Sequence, residues 1–147
     1  MKMTFERVVD VDTALAWRRE VIDAVFDTDA DTALTRANRN YLASHLADGS
    51  HAAFVAFCDG VEAGCGSICF QSELPSPENP SGRCAYLMNI YVREQMRGRG
   101  VGRAIVRRLV DESYERRCGK IYLETTELGR PLYSAAGFHP MKDMMEL

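Results

Sequence analysis

Tyr91-Val-Arg-Glu-Gln-Met-Arg97-Gly98-Arg99-Gly100-Val101-Gly102-Arg103 reads as the end of an apolar strand running into an arginine- and glycine-rich loop that opens a helix. Glycines at alternate positions remove Cβ atoms where backbone N–H groups must approach an anion, and the positive end of the following helix dipole points at the same spot. Arg93, Arg97, Arg99 and Arg103 flank those glycines, a composition suited to a ligand with several negative charges. On the upstream side, Cys84 to Val92 reads as a strand with Tyr86, Met88, Ile90 and Val92 on one face and Leu87, Asn89 and Tyr91 on the other. On the downstream side, Val101 to about Arg117 reads as a helix whose Ile105, Leu109 and Val110 form a buried stripe, stopped at Cys118-Gly119.

Working outward, Thr4 to Val9 is an opening strand, followed by a helix over Thr13 to Phe26 capped by Asp12. An acidic link, Asp27-Thr-Asp29-Ala-Asp31, leads to a second helix from about Thr32 to Leu46, ended by Asp48-Gly49. Ala52–Cys58 and Val61–Phe70 are strands joined by Asp59-Gly60, a two-residue hairpin signal. The proline-rich stretch from Glu73 to Gly82 is a surface loop. Ile121 to Thr125 is a further strand, Pro131 suits the first turn of a short helix over Leu132–Ala136 ended by Gly137, and Met141–Leu147 is a last short strand. The order β-α-α-β-β-β-α-β-α-β predicts one α/β domain over residues 1–147, with a mixed central sheet flanked by helices.

With 147 residues, 46% of them apolar, the chain can bury a substantial core as one domain. It shows no signal-peptide pattern and no apolar run of membrane-spanning length, so the expectation is a cytoplasmic protein without a membrane partner. The five cysteines are odd in number and lack a Cys-x-x-Cys pair, and the three histidines stand apart from them, which predicts free thiols and no metal. Six arginines crowd residues 93–108 against Glu94 alone, although the whole chain carries −3. Positive charge focused on one site in a chain of pI about 5.6 argues against a nucleic-acid partner, which favours a basic face and a high pI.

Two common phosphate motifs fail. A dinucleotide fingerprint would need its third glycine where Arg103 stands, and a P-loop needs Lys-Ser/Thr where the chain has Arg103-Ala104. The spacing Arg97-x-x-Gly100-x-Gly102, after a strand ending Asn89-Ile-Tyr-Val92, resembles instead the acetyl-CoA signature of the GNAT superfamily of N-acetyltransferases. Leu132-Tyr133-Ser-Ala-Ala-Gly137-Phe138 is similar to that family's Leu-Tyr-x-x-x-Gly-Phe. One departure stands out: Thr126-Glu-Leu-Gly129 occupies the place of the family's frequent Asn-x-x-Ala, with Thr126 keeping a hydrogen-bonding group.

The resemblance implies acetyl-CoA as the acetyl donor, with the backbone of Arg97, Gly98, Arg99, Gly100, Val101 and Gly102 around the pyrophosphate. Ile90, Tyr91 and Val92 would pair with the pantetheine arm as with an extra strand, Arg103 would neutralise phosphate, and Thr126 would contact the donor. It implies direct transfer to a primary amine, with Tyr133 protonating the departing thiolate, a role open to a phenol of pKa near 10. Glu124, Glu94, and Asn89 with Tyr86 through water are alternatives for taking the amine proton. Asp27, Asp29, Asp31, Glu73 and Glu78 fall in segments that wall the acceptor site in this fold, so a small cationic amine is the expected acceptor; protein N-termini or lysines, and an inactive CoA-binding sensor, are the alternatives. A homodimer through an edge strand, such as 141–147, is a further expectation.

Overall fold

The computed structural model describes residues 1–26 and 31–147. The described elements follow in the order β1 (Met3–Val8), α1 (Val11–Val25), α2 (Thr32–Asp48), β2 (His51–Cys58), β3 (Val61–Ser72), β4 (Arg83–Val92), a 3-10 turn (Glu94–Met96), α3 (Val101–Glu115), β5 (Lys120–Leu123) and α4 (Arg130–Ala135). The strands lie side by side in sequence order, antiparallel from β1 to β4, with β5 parallel to β4. The parallel step is made possible by α3, which carries the chain back across the sheet.

Local signals explain most boundaries. Asp59 and Gly60 both adopt positive φ, 50° and 81°, the conformation that matches the twist of a two-residue hairpin between β2 and β3. Helix α1 is capped by Asp10, whose carboxylate accepts from the Thr13 N–H at 2.9 Å, and not by Asp12. An N-cap must lie two or three residues before the N–H that it holds, and Asp12 already sits in the first turn, where it pairs with Arg39 of α2 at 2.9 Å. Asp31 caps α2 through the Leu34 N–H, and Gly49 ends it in the left-handed conformation. Helix α3 closes on Arg117, at φ 59°, with the Cys118 N–H reaching back to the Ser113 carbonyl; the stop lies two residues before Gly119.

The sheet separates two apolar layers. On one face α3 buries Val101, Ile105 and Leu109 against Phe54, Ile68 and Leu87. On the other, α1 and α2 bury Leu15, Trp17, Val21 and Leu42 against Val8, Val55 and Cys65. The predicted terminal strand is absent: residues 141–147 take no strand conformation, and Met141, Met144, Met145 and Leu147 are exposed. A strand needs both a ladder partner and a buried face, and β5 pairs only with β4. The edge on which the homodimer expectation rested is therefore missing.

Strand β4 also departs from the expected alternation. Asn89 has φ 56°, and the ladder with β3 steps from Ser67↔Met88 to Cys65↔Tyr91, so Asn89 and Ile90 together face Gly66. This β-bulge breaks the strict alternation expected along the strand. Ile90 and Val92 join Leu87 on the α3 face, whereas Tyr91 packs on the α1/α2 face. The bulge carbonyls keep partners: the Cys65 thiol donates to Asn89 O and the Ser67 hydroxyl to Met88 O, each at 3.3 Å.

Candidate active site

The loop between β4 and α3 is built from backbone. Gly98 and Gly100 take φ of 76° and 80°, a region that costs other residues roughly 1–2 kcal/mol. A Cβ at either would meet nothing within 4 Å, so the turn requires glycine and open space lies beyond it. The first helical hydrogen bond runs from the Ala104 N–H to Gly100 O at 3.1 Å. The N–H groups of the preceding turn have no intrahelical acceptor, which makes the helix start an anion cradle.

The arginines divide. Arg97, Arg99 and Arg103 are exposed around the loop, with Arg97 Nε holding Val92 O at 3.1 Å. Arg93 is spent internally: it pairs with Glu20 at 2.9 Å and Glu62 at 3.4 Å, and its guanidinium lies 4.4 Å from the Trp17 ring centre. Arg108 is likewise committed, to Glu112 at 2.9 Å.

Beside the cradle, β4 and β5 pair only from Cys84 to Leu87. Past Leu87 the bulged end of β4, with Ile90, Tyr91 and Val92, pairs with β3 alone, leaving its other edge for an extended ligand. Helix α4 docks on α3 through Leu132, whose Cδ2 would stand 3.2 Å from a Cβ at Gly102. Tyr133 is the next residue along α4. Tyr133 is half-buried, edge-on to Phe138 at 6.3 Å between ring centres, and burial raises its hydroxyl above the usual phenol range. Thr126 works upstream of α4: its Oγ1 accepts from the Gly129 N–H at 3.3 Å and its carbonyl from Arg130, so its hydrogen-bonding group shapes the entry to the helix.

On the opposite face of the sheet a cavity of about 240 Å³ lies between the strands and α1/α2. Its polar lining is Arg18, Asn38, Tyr41, His51, Ser67, Cys69 and Asn89. The Tyr41 hydroxyl meets His51 Nδ1 at 3.0 Å and Cys69 Sγ at 3.1 Å. Burial, with the charges of His45 and Arg18, drops His51 to about 4, and burial raises the Tyr41 hydroxyl and Cys69 thiol. Arg18 Nη1 donates to Asn89 Oδ1 at 2.8 Å. His45 is outside the lining, stacked on Tyr41 and bonded to Ser50, a structural role.

Of the acidic residues expected to wall this site, the described ones do not reach it. Glu73 pairs with Lys120 at 3.3 Å, Asp31 caps α2, Glu78 is exposed, and Asp27 and Asp29 lie outside the described residues. No described carboxylate lines the cavity. Glu124 follows β5 as an exposed residue, its carboxylate beside Tyr86; burial first, then this neighbour, lifts the Tyr86 hydroxyl to about 12. Glu94 is exposed in the 3-10 turn.

Residues 15–138 match the model of the Acetyltransferase (GNAT) family. The chain belongs to the GNAT family. Among solved structures, a predicted acetyltransferase from Clostridium acetobutylicum, crystallised with acetyl-CoA, is 27% identical, with a TM-score of 0.84 over 99% of this chain and 96% of that one. A GCN5-related N-acetyltransferase from Ralstonia eutropha is 28% identical, with a TM-score of 0.83 over 99% and 98%. Glucosamine-6-phosphate N-acetyltransferase from Arabidopsis thaliana shares the fold at 15% identity, with a TM-score of 0.71 over 100% and 98%. No curated protein matches the chain.

In this GNAT acetyltransferase the loop of Arg97–Arg103 follows the bulged end of β4, and Leu132, the residue before Tyr133, packs on Gly102. No described helix is long and apolar enough to cross a membrane. The cysteines are free, and no described cluster of His, Cys, Asp and Glu could hold a metal. Asn38, Tyr41, His51, Ser67 and Cys69 escaped the sequence reading, because their gathering depends on packing between α1, α2 and three strands and leaves no local motif.

Proposed function

We propose that this GNAT domain transfers an acetyl group from acetyl-CoA directly to a primary amine of a small molecule. The observation that carries the reading is the junction of α3 and α4, where Leu132, the residue before Tyr133, packs on Gly102 in the glycine-turned helix start. Arg97 to Gly102 would cradle the donor's pyrophosphate through backbone N–H groups, with Arg97, Arg99 and Arg103 offering charge outside the loop. Ile90, Tyr91 and Val92 would hold the pantetheine arm along the free edge of β4. When bound, acetyl-CoA supplies the acetyl group as an activated thioester.

The side chains then divide the proton traffic. Tyr133 Oη would give its proton to the thiolate sulfur as the amine displaces it from the acetyl carbon. Burial keeps that hydroxyl protonated across the neutral range. The amine proton would leave toward Glu124, whose carboxylate lies beside the Tyr86 hydroxyl, outside the cavity lining. Asn89, another of the three candidates, has its Oδ1 engaged by Arg18 and serves to position that side chain. Thr126 supports the site by shaping the approach to α4. The cavity of about 240 Å³ favours a small acceptor over a protein tail.

The test is release of CoA thiol from acetyl-CoA across a panel of primary amines, with a melting curve in the presence of acetyl-CoA as the binding control. Thiol release with at least one amine supports the reading. A melting shift without release from any amine would leave a CoA-binding protein that is no transferase.

A further inference from the structure

We infer that the acceptor is an amine that itself carries a carboxylate, held by Arg18, a substrate class of amino-acid size that rests on the transferase reading above. Arg18 projects from α1 into the cavity on the far side of the sheet from α3. It is partly buried, with its guanidinium 5.8 Å from the Phe26 ring centre, and burial lowers its pKa from the ordinary value. Its hydrogen-bond partner among the described residues is a neutral amide oxygen, Asn89 Oδ1, and it enters no ion pair there. A guanidinium has five N–H donors in a rigid fork, so most of its donors remain for whatever fills the cavity.

The company Arg18 keeps sets the sign of the site. His51 is neutral at pH 7, and the Tyr41 hydroxyl and the Cys65 and Cys69 thiols are held protonated by burial. Arg18 is thus the one ionised side chain lining the cavity among the described residues. A polyamine or other purely cationic acceptor would enter against like charge, in surroundings where charges are weakly screened. A carboxylate would accept two parallel N–H bonds from the guanidinium fork. A phosphate dianion would bring a second charge with nothing to balance it, so a single carboxylate is the better match.

Position adds to charge. Arg18 is anchored to Asn89, the residue at the bulge, and Ile90 to Val92 follow it along the strand edge proposed for the donor. A carboxylate seated on Arg18 therefore places an amine a few bonds away at the bulged end of β4. The volume of about 240 Å³ exceeds the roughly 150 Å³ of an engineered cavity that takes up benzene, room for a small acceptor.

The experiment measures thiol release from acetyl-CoA with matched sets: amino acids, their carboxamides, the corresponding decarboxylated amines, and amines bearing a phosphate. Wild-type protein is expected to favour the carboxylates by roughly 10- to 100-fold in kcat/KM, chiefly through KM, as the loss of a charge-assisted pair implies. In Arg18→Gln the ratio of acid to carboxamide falls toward one, while Arg18→Lys keeps part of it; the melting shift with acetyl-CoA persists in both. Carboxamides, decarboxylated amines or phosphate-bearing amines that match or outperform the carboxylates in wild-type protein overturn the inference and leave the transferase standing. Thiol release from none of the sets, with the acetyl-CoA melting shift intact, removes both.

Discussion

Leu132 of α4 rests against Gly102 in the first turn of α3, so close that a Cβ on Gly102 would stand 3.2 Å from Leu132 Cδ2. Two motifs thirty residues apart are one structural unit. The glycine at 102 answers to packing as well as to phosphate, since its backbone is ordinary helix. Gly102→Val should lose about 1–3 kcal/mol through overpacking, and α4 with Tyr133 should shift outward, lowering turnover. Gly102→Ala should be near neutral, because better helix propensity offsets the small displacement asked of a flexible leucine. Denaturant midpoints of both variants, beside turnover, check this; Gly102→Val as stable as wild type would mean that the contact does not constrain α4.

Tyr133→Phe should lower turnover by at least about 10²-fold, the lower end of what a general acid contributes, with the acetyl-CoA melting shift retained. The sign of the pH effect follows from burial, which raises the hydroxyl's pKa: the donor stays protonated up to and beyond the usual phenol value of about 10. A kcat profile that declines well below about pH 9 in wild type, and not in Tyr133→Phe, would contradict this assignment.

His51 is an acid-sensitive point of the fold. Its folded pKa of about 4 lies below the unfolded value of 6.5, so the unfolded chain takes up a proton first as the pH falls. The stability attached to a neutral His51 is fully present above about pH 6.5 and is lost progressively toward pH 4. Between pH 7 and 4.5 the loss should be on the order of 2–3 kcal/mol. His51→Gln should lose less over that interval by about that amount; chemical unfolding at several pH values measures the difference, and parallel curves for the two proteins would refute the assignment.

Glu112 is buried on α3 and takes Arg7 and Arg108, with Arg116 at 3.9 Å. The two hydrogen-bonded arginines outweigh burial and hold its carboxyl below the usual range. Glu112→Ala should cost roughly 2–4 kcal/mol, below the figure for a fully buried pair, because the arginines keep part of their solvent. Since β1 is tied to α3 by Arg7, loss of amide-exchange protection should be greatest in β1; a uniform loss across the sheet would argue against that local role.

Legibility from sequence followed locality. The hairpin at Asp59-Gly60, the ends of α2 and the strand–loop–helix around Gly98 and Gly100 were readable, because each is decided by the φ preference or capping chemistry of a few adjacent residues. The cap of α1 slipped from Asp10 to Asp12 because two aspartates compete within three positions. The faces of Ile90 and Val92 were misassigned because the bulge at Asn89 is stabilised from β3, by Cys65 and Ser67, and nothing within β4 announces it. The terminal strand failed for the same reason: strand pairing is a property of a neighbour.

By itself, then, the sequence determined the fold class and the glycine-turned start of α3 on which the proposed donor site rests, since such a loop is made of consecutive backbone groups and glycine spacing records it directly. Only the tertiary structure assembled the cavity proposed for the acceptor. There Arg18 from α1, Tyr41 from α2, His51 from β2, Cys69 from β3 and Asn89 from β4 converge on one cavity. Its charge follows from which side chains are buried together and which remain ionised, a matter of packing across the sheet that no stretch of chain contains.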